Sequence, residues 1–85
     1  MPDLADDLRD LARLLVDHPE AVEVASLPPS AGRRDRGVVL ELRVAPDDLG
    51  KVIGRQGRTA RALRTLLETR GDRCGERYEL DILED

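Results

Sequence analysis

Apolar residues return along this chain in two rhythms, and each change of rhythm marks a new element. Leu4, Leu8, Leu11 and Leu15, widened by Ala5, Ala12 and Val16, recur at helical spacing and predict an amphipathic helix over residues 3–16. Asp3 stands where an N-cap belongs, Asp6 and Asp7 suit the positive end of the helix dipole, and Pro19 forbids continuation. From Ala21 to Leu27 the rhythm shortens to alternation around Val22 and Val24, which predicts a strand. Gly37 to Val44 repeats the alternation more clearly, with Val38, Leu40, Leu42 and Val44 on one face and Glu41 and Arg43 on the other, so one face is expected to be buried and one wet. Between the two strands, Pro28 to Arg36 reads as a long polar loop carrying Arg33, Arg34 and Arg36.

Helical spacing resumes with Asp47, Asp48, Leu49, Lys51, Val52 and Ile53, and Gly54-Arg55-Gln56-Gly57 interrupts it. Asp47 and Asp48 open this helix, a place where carboxylates serve as caps. A longer helix starts at Arg58. On a wheel of about 100° per residue, Ala60, Leu63, Leu66 and Leu67 share one arc with Thr59 and Ala62, and Arg58, Arg61, Arg64 and Thr65 share the other. Gly71 to Glu76 reads as a second glycine-punctuated loop, after which Tyr78, Leu80 and Ile82 alternate with Glu79 and Asp81 in a final strand. The predicted order is α-β-β-α-α-β, an α+β fold.

The 85 residues leave room for one domain. A compact chain of this length has a radius of gyration of about 12 Å and buries only about 60% of its unfolded surface. Its core must be aliphatic, because there is no Phe or Trp and Tyr78 is the only aromatic residue. That also removes the aromatic platforms on which many single-strand binders stack bases. The net charge is -4, from 14 basic and 18 acidic residues, which argues against an indiscriminate polyanion binder. The distribution is more informative: Leu49 to Leu67 holds Lys51, Arg55, Arg58, Arg61 and Arg64 without an acid, whereas four Asp crowd residues 1–10 and five acids the last ten. Basic charge therefore gathers around Gly54-Arg55-Gln56-Gly57. Two glycines there permit a sharp turn and leave no Cβ to keep another backbone away. An N-terminus of a helix beside such a turn favours a phosphate.

Several classes are excluded by what the chain lacks. There is no G-x-x-x-x-G-K-[ST] phosphate loop, no Cys/His pair, no Ser/His/Asp set with a single His, and no metal-ligand cluster. An enzyme is not expected, nor a cofactor, metal or small-molecule substrate. Cys74 stands alone, so no internal disulfide is expected and a reducing compartment suits the chain. No apolar run approaches membrane-spanning length, and the acidic start lacks a signal-peptide layout, so no membrane contact and a cytoplasmic location are expected.

Val52-Ile53-Gly54-Arg55-Gln56-Gly57-Arg58, with a strand and Pro46-Asp47-Asp48 before it, Lys51 ahead of Val-Ile-Gly and Arg-Thr-Ala-Arg-Ala-Leu-Arg after it, resembles the GXXG segment of the KhpA family of small single-KH bacterial proteins. The likeness runs from Leu15 to the final strand. It implies a type II KH fold: a three-stranded mixed sheet covered on one face by three helices, one domain over 1–85, with an extra N-terminal helix and first strand at 3–27 and a GXXG core at 37–83. In such a domain the loop clamps about four nucleotides by their backbone. Carried over residue by residue, the resemblance implies RNA contact by Lys51, Gly54, Arg55, Gln56, Gly57, Arg58 and Arg61. It also implies a base groove walled by Val52, Ile53, Ala60 and Leu80, residues that read equally well as core. Arg61 and Arg64 read equally well as a solubilising face. The partners implied are single-stranded RNA and a KhpB (Jag)-type KH protein or a second copy of the chain; the roles implied are RNA chaperone or post-transcriptional regulator, in control of cell shape and cell wall.

A different class fits some of the same facts. The acidic net charge and missing aromatics suit an adaptor that uses the KH scaffold for dimerisation and binds no RNA itself, whereas the acid-free basic loop has no use in such a protein. The residues do not separate single-stranded RNA from single-stranded DNA. The loops at 28–36 and 71–75 differ in length from a typical family member.

Overall fold

The computed structural model describes residues 3–28 and 37–84, so most of the arginine-bearing stretch at 28–36 lies outside the described residues. Helix α1 runs Leu4–Leu15, strand β1 Glu23–Leu27, strand β2 Val38–Arg43, helix α2 Leu49–Ile53, helix α3 Arg58–Cys74 and strand β3 Tyr78–Ile82. The order is the expected α-β-β-α-α-β. Short 3-10 turns occupy Pro19–Ala21, Pro46–Asp48 and Arg55–Gly57. The first of these takes Ala21 out of the predicted strand.

The sheet order is β1-β2-β3, with β2 antiparallel to β1 and parallel to β3. A parallel return needs a long crossover, and α2 with α3 supplies it. Leu40 pairs with Ser26 and Leu80, and Leu42 with Val24 and Ile82, which puts Leu40, Leu42, Leu80 and Ile82 on one face. Against that face pack Leu4, Ala5, Leu8 and Ala12 of α1, Val52 of α2, and Leu63 and Leu67 of α3. Each fully buried leucine contributes about 1.5–3 kcal/mol relative to leaving it in water. The radius of gyration is 12.6 Å.

Three expectations need correction. First, the opposite sheet face is not uniformly wet: Arg43 is exposed, yet Val39, between Leu27 and Glu79 in register, is only 1% exposed. Second, the apolar arc of α3 is narrower than its wheel. Ala60, Leu63, Leu67 and Gly71 are buried, whereas Ala62 and Leu66 face outward, as do Leu14 and Leu15 at the end of α1. A wheel records angle only, and these residues lie at angles no neighbouring element covers.

Third, Gly71 does not open a loop; α3 runs through it to Cys74. A Cβ at Gly71 would lie 2.4 Å from the Glu76 carbonyl oxygen and 3.0 Å from the Tyr78 ring, so this glycine lets the chain fold back tightly onto the helix. Gly75, at φ 72°, ψ 22°, ends the helix. Its N–H donates to the Asp72 carbonyl at 3.3 Å and that of Glu76 to the Gly71 carbonyl at 2.9 Å, the paired bonds of a Schellman cap.

Candidate nucleic-acid interface

Helix α2 is one turn and a half long and ends where the Gly54 N–H donates to the Gly50 carbonyl at 2.8 Å. Gly54 then adopts φ 79°, ψ 170°, a conformation essentially reserved for glycine. A Cβ there would also strike Thr59, 2.3 Å from its Oγ1 and 2.8 Å from its backbone nitrogen. The chain closes one 3-10 turn, Gly57 N–H donating to the Gly54 carbonyl at 3.1 Å, and passes through two left-handed residues, Gln56 (φ 58°, ψ 26°) and Gly57 (φ 73°, ψ 15°). A left-handed non-glycine costs on the order of 1–2 kcal/mol. Gly57 differs from Gly54 in its surroundings, since, its own chain neighbours aside, no atom of the described residues lies within 4 Å of where its Cβ would be. One glycine is required by the turn's own packing, and the other presents bare backbone to the outside.

Gly57 is the N-cap of α3, no side chain caps that helix, and no acid stands in its first turn. The amide groups there carry the positive end of the dipole without a carboxylate to answer it. Arg55, Gln56, Arg58, Arg61 and Arg64 are all exposed. Arg58 Nη2 donates to Gln56 Oε1 at 3.3 Å, which folds the two side chains toward each other over the turn. Loop, helix end and guanidinium groups thus form one positive surface.

Lys51 is placed differently from the other expected contacts. Its Nζ lies 3.2 Å from Asp17 Oδ2 and 3.5 Å from Asp48 Oδ1. Asp17 and then Asp48 raise the Lys51 pKa above its usual 10.5, by hydrogen bond and by charge, against some desolvation. Asp48 does not cap its own helix. It is 0% exposed and turns inward, accepting from the backbone N–H of Asp17 at 3.1 Å and of His18 at 2.9 Å. Burial opposes its ionisation, but the Asp17 and His18 amides, the positive field of His18 and the Lys51 ammonium prevail and hold its carboxyl below the usual 3.8. Sequence reading missed this role because the partners lie about thirty residues away, and nothing beside Asp48 in the chain points to them.

Of the expected groove residues, Val52 and Leu80 sit in the main core, Ala60 is buried beneath the start of α3, and Ile53 is half-buried beside Gly54. A cleft of about 560 Å³ does run between α3 and β3 with its preceding loop, and Leu80 is the one groove candidate that lines it. Its walls carry Glu68, Asp72, Glu76 and Glu79 against Arg64 and Arg77. The surface is therefore basic at the glycine turn, whereas beyond Arg64 acids and arginines mix along α3 and acids predominate in the lining of the cleft. Among the described residues no group of three His, Cys, Asp or Glu stands ready to hold a metal, and no helix is long and apolar enough to cross a membrane.

A three-stranded mixed sheet covered by three helices, with a GXXG turn joining the last two, defines a type II KH domain. The chain belongs to the KhpA/KhpB KH-domain family, whose pattern matches residues 5–82. It is 48% identical over 82 residues to the RNA-binding protein KhpA of Leifsonia xyli, covering 96% of this chain and 99% of that one. Identity is 53% over 77 residues to the KhpA of Streptomyces coelicolor (91% and 90% covered) and 46% over 84 residues to that of Aquifex aeolicus (99% and 100% covered). Among solved structures, a point variant of Era from Aquifex aeolicus, bound to GDP and aluminium fluoride, shares the fold, with a TM-score of 0.58 at 19% identity. The likeness covers 92% of this chain and 28% of Era.

Proposed function

We propose that this protein binds single-stranded RNA through the Gly54–Gly57 turn and the start of α3. The observation that carries the reading is a turn whose outer glycine exposes bare backbone at an uncapped, acid-free helix N-terminus ringed by Arg55, Arg58 and Arg61. Phosphates sit at the turn, answered by the α3 amides and by Arg55 and Arg58, while Gln56 donates to a phosphate or sugar oxygen. Bases lie over Ile53 and toward the cleft. Beyond Arg64 the acids of the cleft repel the backbone, which limits the footprint to a few nucleotides. The relatives' name, RNA-binding protein KhpA, supports the same reading. By that kinship the protein acts as an RNA chaperone or post-transcriptional regulator alongside a KhpB (Jag)-type partner, in cytoplasmic control of cell shape and cell wall.

The test is titration of a pool of short single-stranded RNAs onto wild type and an Arg55→Asp, Gln56→Asp variant at several salt concentrations, with circular dichroism to confirm folding. Neutralising about 3 or 4 phosphates gives a log-log salt slope of about 2 to 3 in wild type, and the folded variant loses binding. Equal binding by both, or none by wild type, sinks the proposal.

A second reading has its own observation. Leu14 is 83% exposed, and with Leu11 and Leu66 it borders an apolar groove between α1 and α3 rimmed by Asp7, Asp10 and Arg70. This surface suits pairing with a KH partner or a second copy, and pairing would raise the affinity of a weak single domain without new RNA contacts. Leu14→Ser leaves the core intact, so loss of self-association or partner capture in sedimentation identifies the groove, and unchanged association rules it out.

A further inference from the structure

We infer that Asp48, Asp17 and Lys51 form a latch that positions the RNA-binding turn, and that Lys51 acts on RNA through this latch and not as a phosphate ligand. The inference rests on the RNA-binding reading for its effect on affinity; the latch itself is visible in the structure.

Helix α2 has five residues, too few to hold itself in water, yet it carries the Gly50 carbonyl that receives the Gly54 N–H at 2.8 Å. Any tilt of α2 is a tilt of the turn. Among the described residues three things hold it: Val52, wholly buried in the core, Leu49, half-buried against the same core, and the carboxylate of Asp48 at its first end. Asp48 bonds two backbone amides at the point where α1 has ended and Pro19 is about to turn the chain. Those amides have no helical partner to lose, and a buried carboxylate leaves no lone pair idle. Lys51, one turn on, closes the arrangement from outside by bridging Asp48 to Asp17 across the two elements. His18 Nδ1 is turned toward Glu20 at 3.6 Å, so the cluster is bounded on its far side by a separate pair. Two of the three Lys51 ammonium protons answer these carboxylates, and drawing Nζ away toward a phosphate would leave the buried charge of Asp48 less well answered.

The sign of one substitution separates the two roles. Asp17 is exposed and negative; if Lys51 were a phosphate ligand, Asp17→Asn would free it and remove a repulsion, and RNA would bind more tightly. The latch predicts the opposite. Wild type, Asp17→Asn, Asp48→Asn and Lys51→Met are titrated with the same RNA pool across salt, and amide hydrogen exchange is followed at Gly54 and Gly57 relative to Leu40 and Leu42 in the central strand. We expect exchange at the two glycines to rise in all three variants and affinity to fall roughly 3- to 10-fold, with the Lys51→Met salt slope equal to that of wild type. Arg55→Met, which removes a phosphate contact, should lower the slope by about 0.7. Unchanged glycine exchange, tighter binding by Asp17→Asn, or a slope reduction in Lys51→Met matching that of Arg55→Met overturns the inference. Should Asp48→Asn fail to fold, the surface variants Asp17→Asn and Lys51→Met decide. If wild type binds no RNA, the RNA-binding reading fails by itself, and the latch stands or falls on the exchange data.

Discussion

The two long helices of this protein begin in opposite ways. Helix α1 is answered from within: Asp3 caps it, accepting from the Ala5 N–H at 3.3 Å, and Asp6 and Asp7 fill its first turn. Helix α3 starts from a glycine with no side-chain cap, no acid in its first turn, Arg58 at its first position and Arg61 at the position that Asp7 holds in α1. A helix start with this much positive charge is less stable than it could be, since an acid near the dipole contributes about 0.3–1 kcal/mol. The chain shows at α1 that it has the means to neutralise a helix end. At α3 it leaves the end open, and in the proposed function an RNA phosphate would supply there what α1 supplies for itself.

The comparison breaks most severely if the turn that opens α3 cannot form. Gly54→Ala puts a Cβ against Thr59 in a backbone conformation alanine does not tolerate, and we expect about 2–3 kcal/mol of lost stability in urea unfolding together with lost RNA binding. Wild-type stability in this variant would show that the turn relaxes without glycine. Next in size is a substitution that makes α3 resemble α1. Arg58→Glu places a carboxylate in the first turn and removes the hydrogen bond to Gln56; thermal unfolding should show stability unchanged or raised by about 0.3–1 kcal/mol, while RNA affinity falls by about ten-fold or more. A variant that is both steadier and a poorer binder is the signature of an end kept open for function. If affinity holds, the open end of α3 has some other cause.

The sequence made the turn legible and the latch invisible, for one physical reason. Gly54 and Gly57 are demanded by backbone geometry within a few residues, so the pattern Ile-Gly-x-x-Gly shows its purpose locally. Strand faces are local too, and alternation placed Leu40 and Leu42 on the buried face correctly. Asp48 is decided by amides about thirty residues earlier, so it read as a cap of its own helix when it bonds the end of another. Gly71 misled for the same reason: a glycine in a helical stretch reads as a break unless one knows that the Glu76 carbonyl must pass beside it. The exposed Leu66 and the buried Val39 are likewise settled by which neighbours cover them.

A smaller effect tests the closed end of the pair. Asp3→Ala removes the α1 cap and should cost about 1 kcal/mol, read as a lower midpoint in urea with the m-value unchanged. RNA affinity at fixed temperature should stay at the wild-type value, because α1 starts far along the chain from the turn and makes no anion site. A matching drop in affinity would mean that the two helix ends are coupled and the contrast between them is not one of separate roles.

The smallest effect is a change with pH: the contribution of the Asp48 carboxylate is complete at neutral pH and is lost only in acid. Burial works against the charge on Asp48, yet the Asp17 and His18 amides, His18 and Lys51 together hold its carboxyl pKa below the usual 3.8. Between the lowered folded value and the unfolded one, the unfolded chain binds more protons, so stability rises with pH across that window. The contribution is complete above about 3.8 and is lost as the pH falls through the folded value. Asp17, Lys51, His18 and Glu20 are the other charged groups around it. The gap in unfolding midpoint between wild type and Asp48→Asn should therefore narrow as the pH falls below 3.8. If the Asp48→Asn gap is as wide at about pH 2.5 as at about pH 7, the carboxylate is not what holds the end of α1 to α2, and the turn owes its position to the packing of Val52 and Leu49.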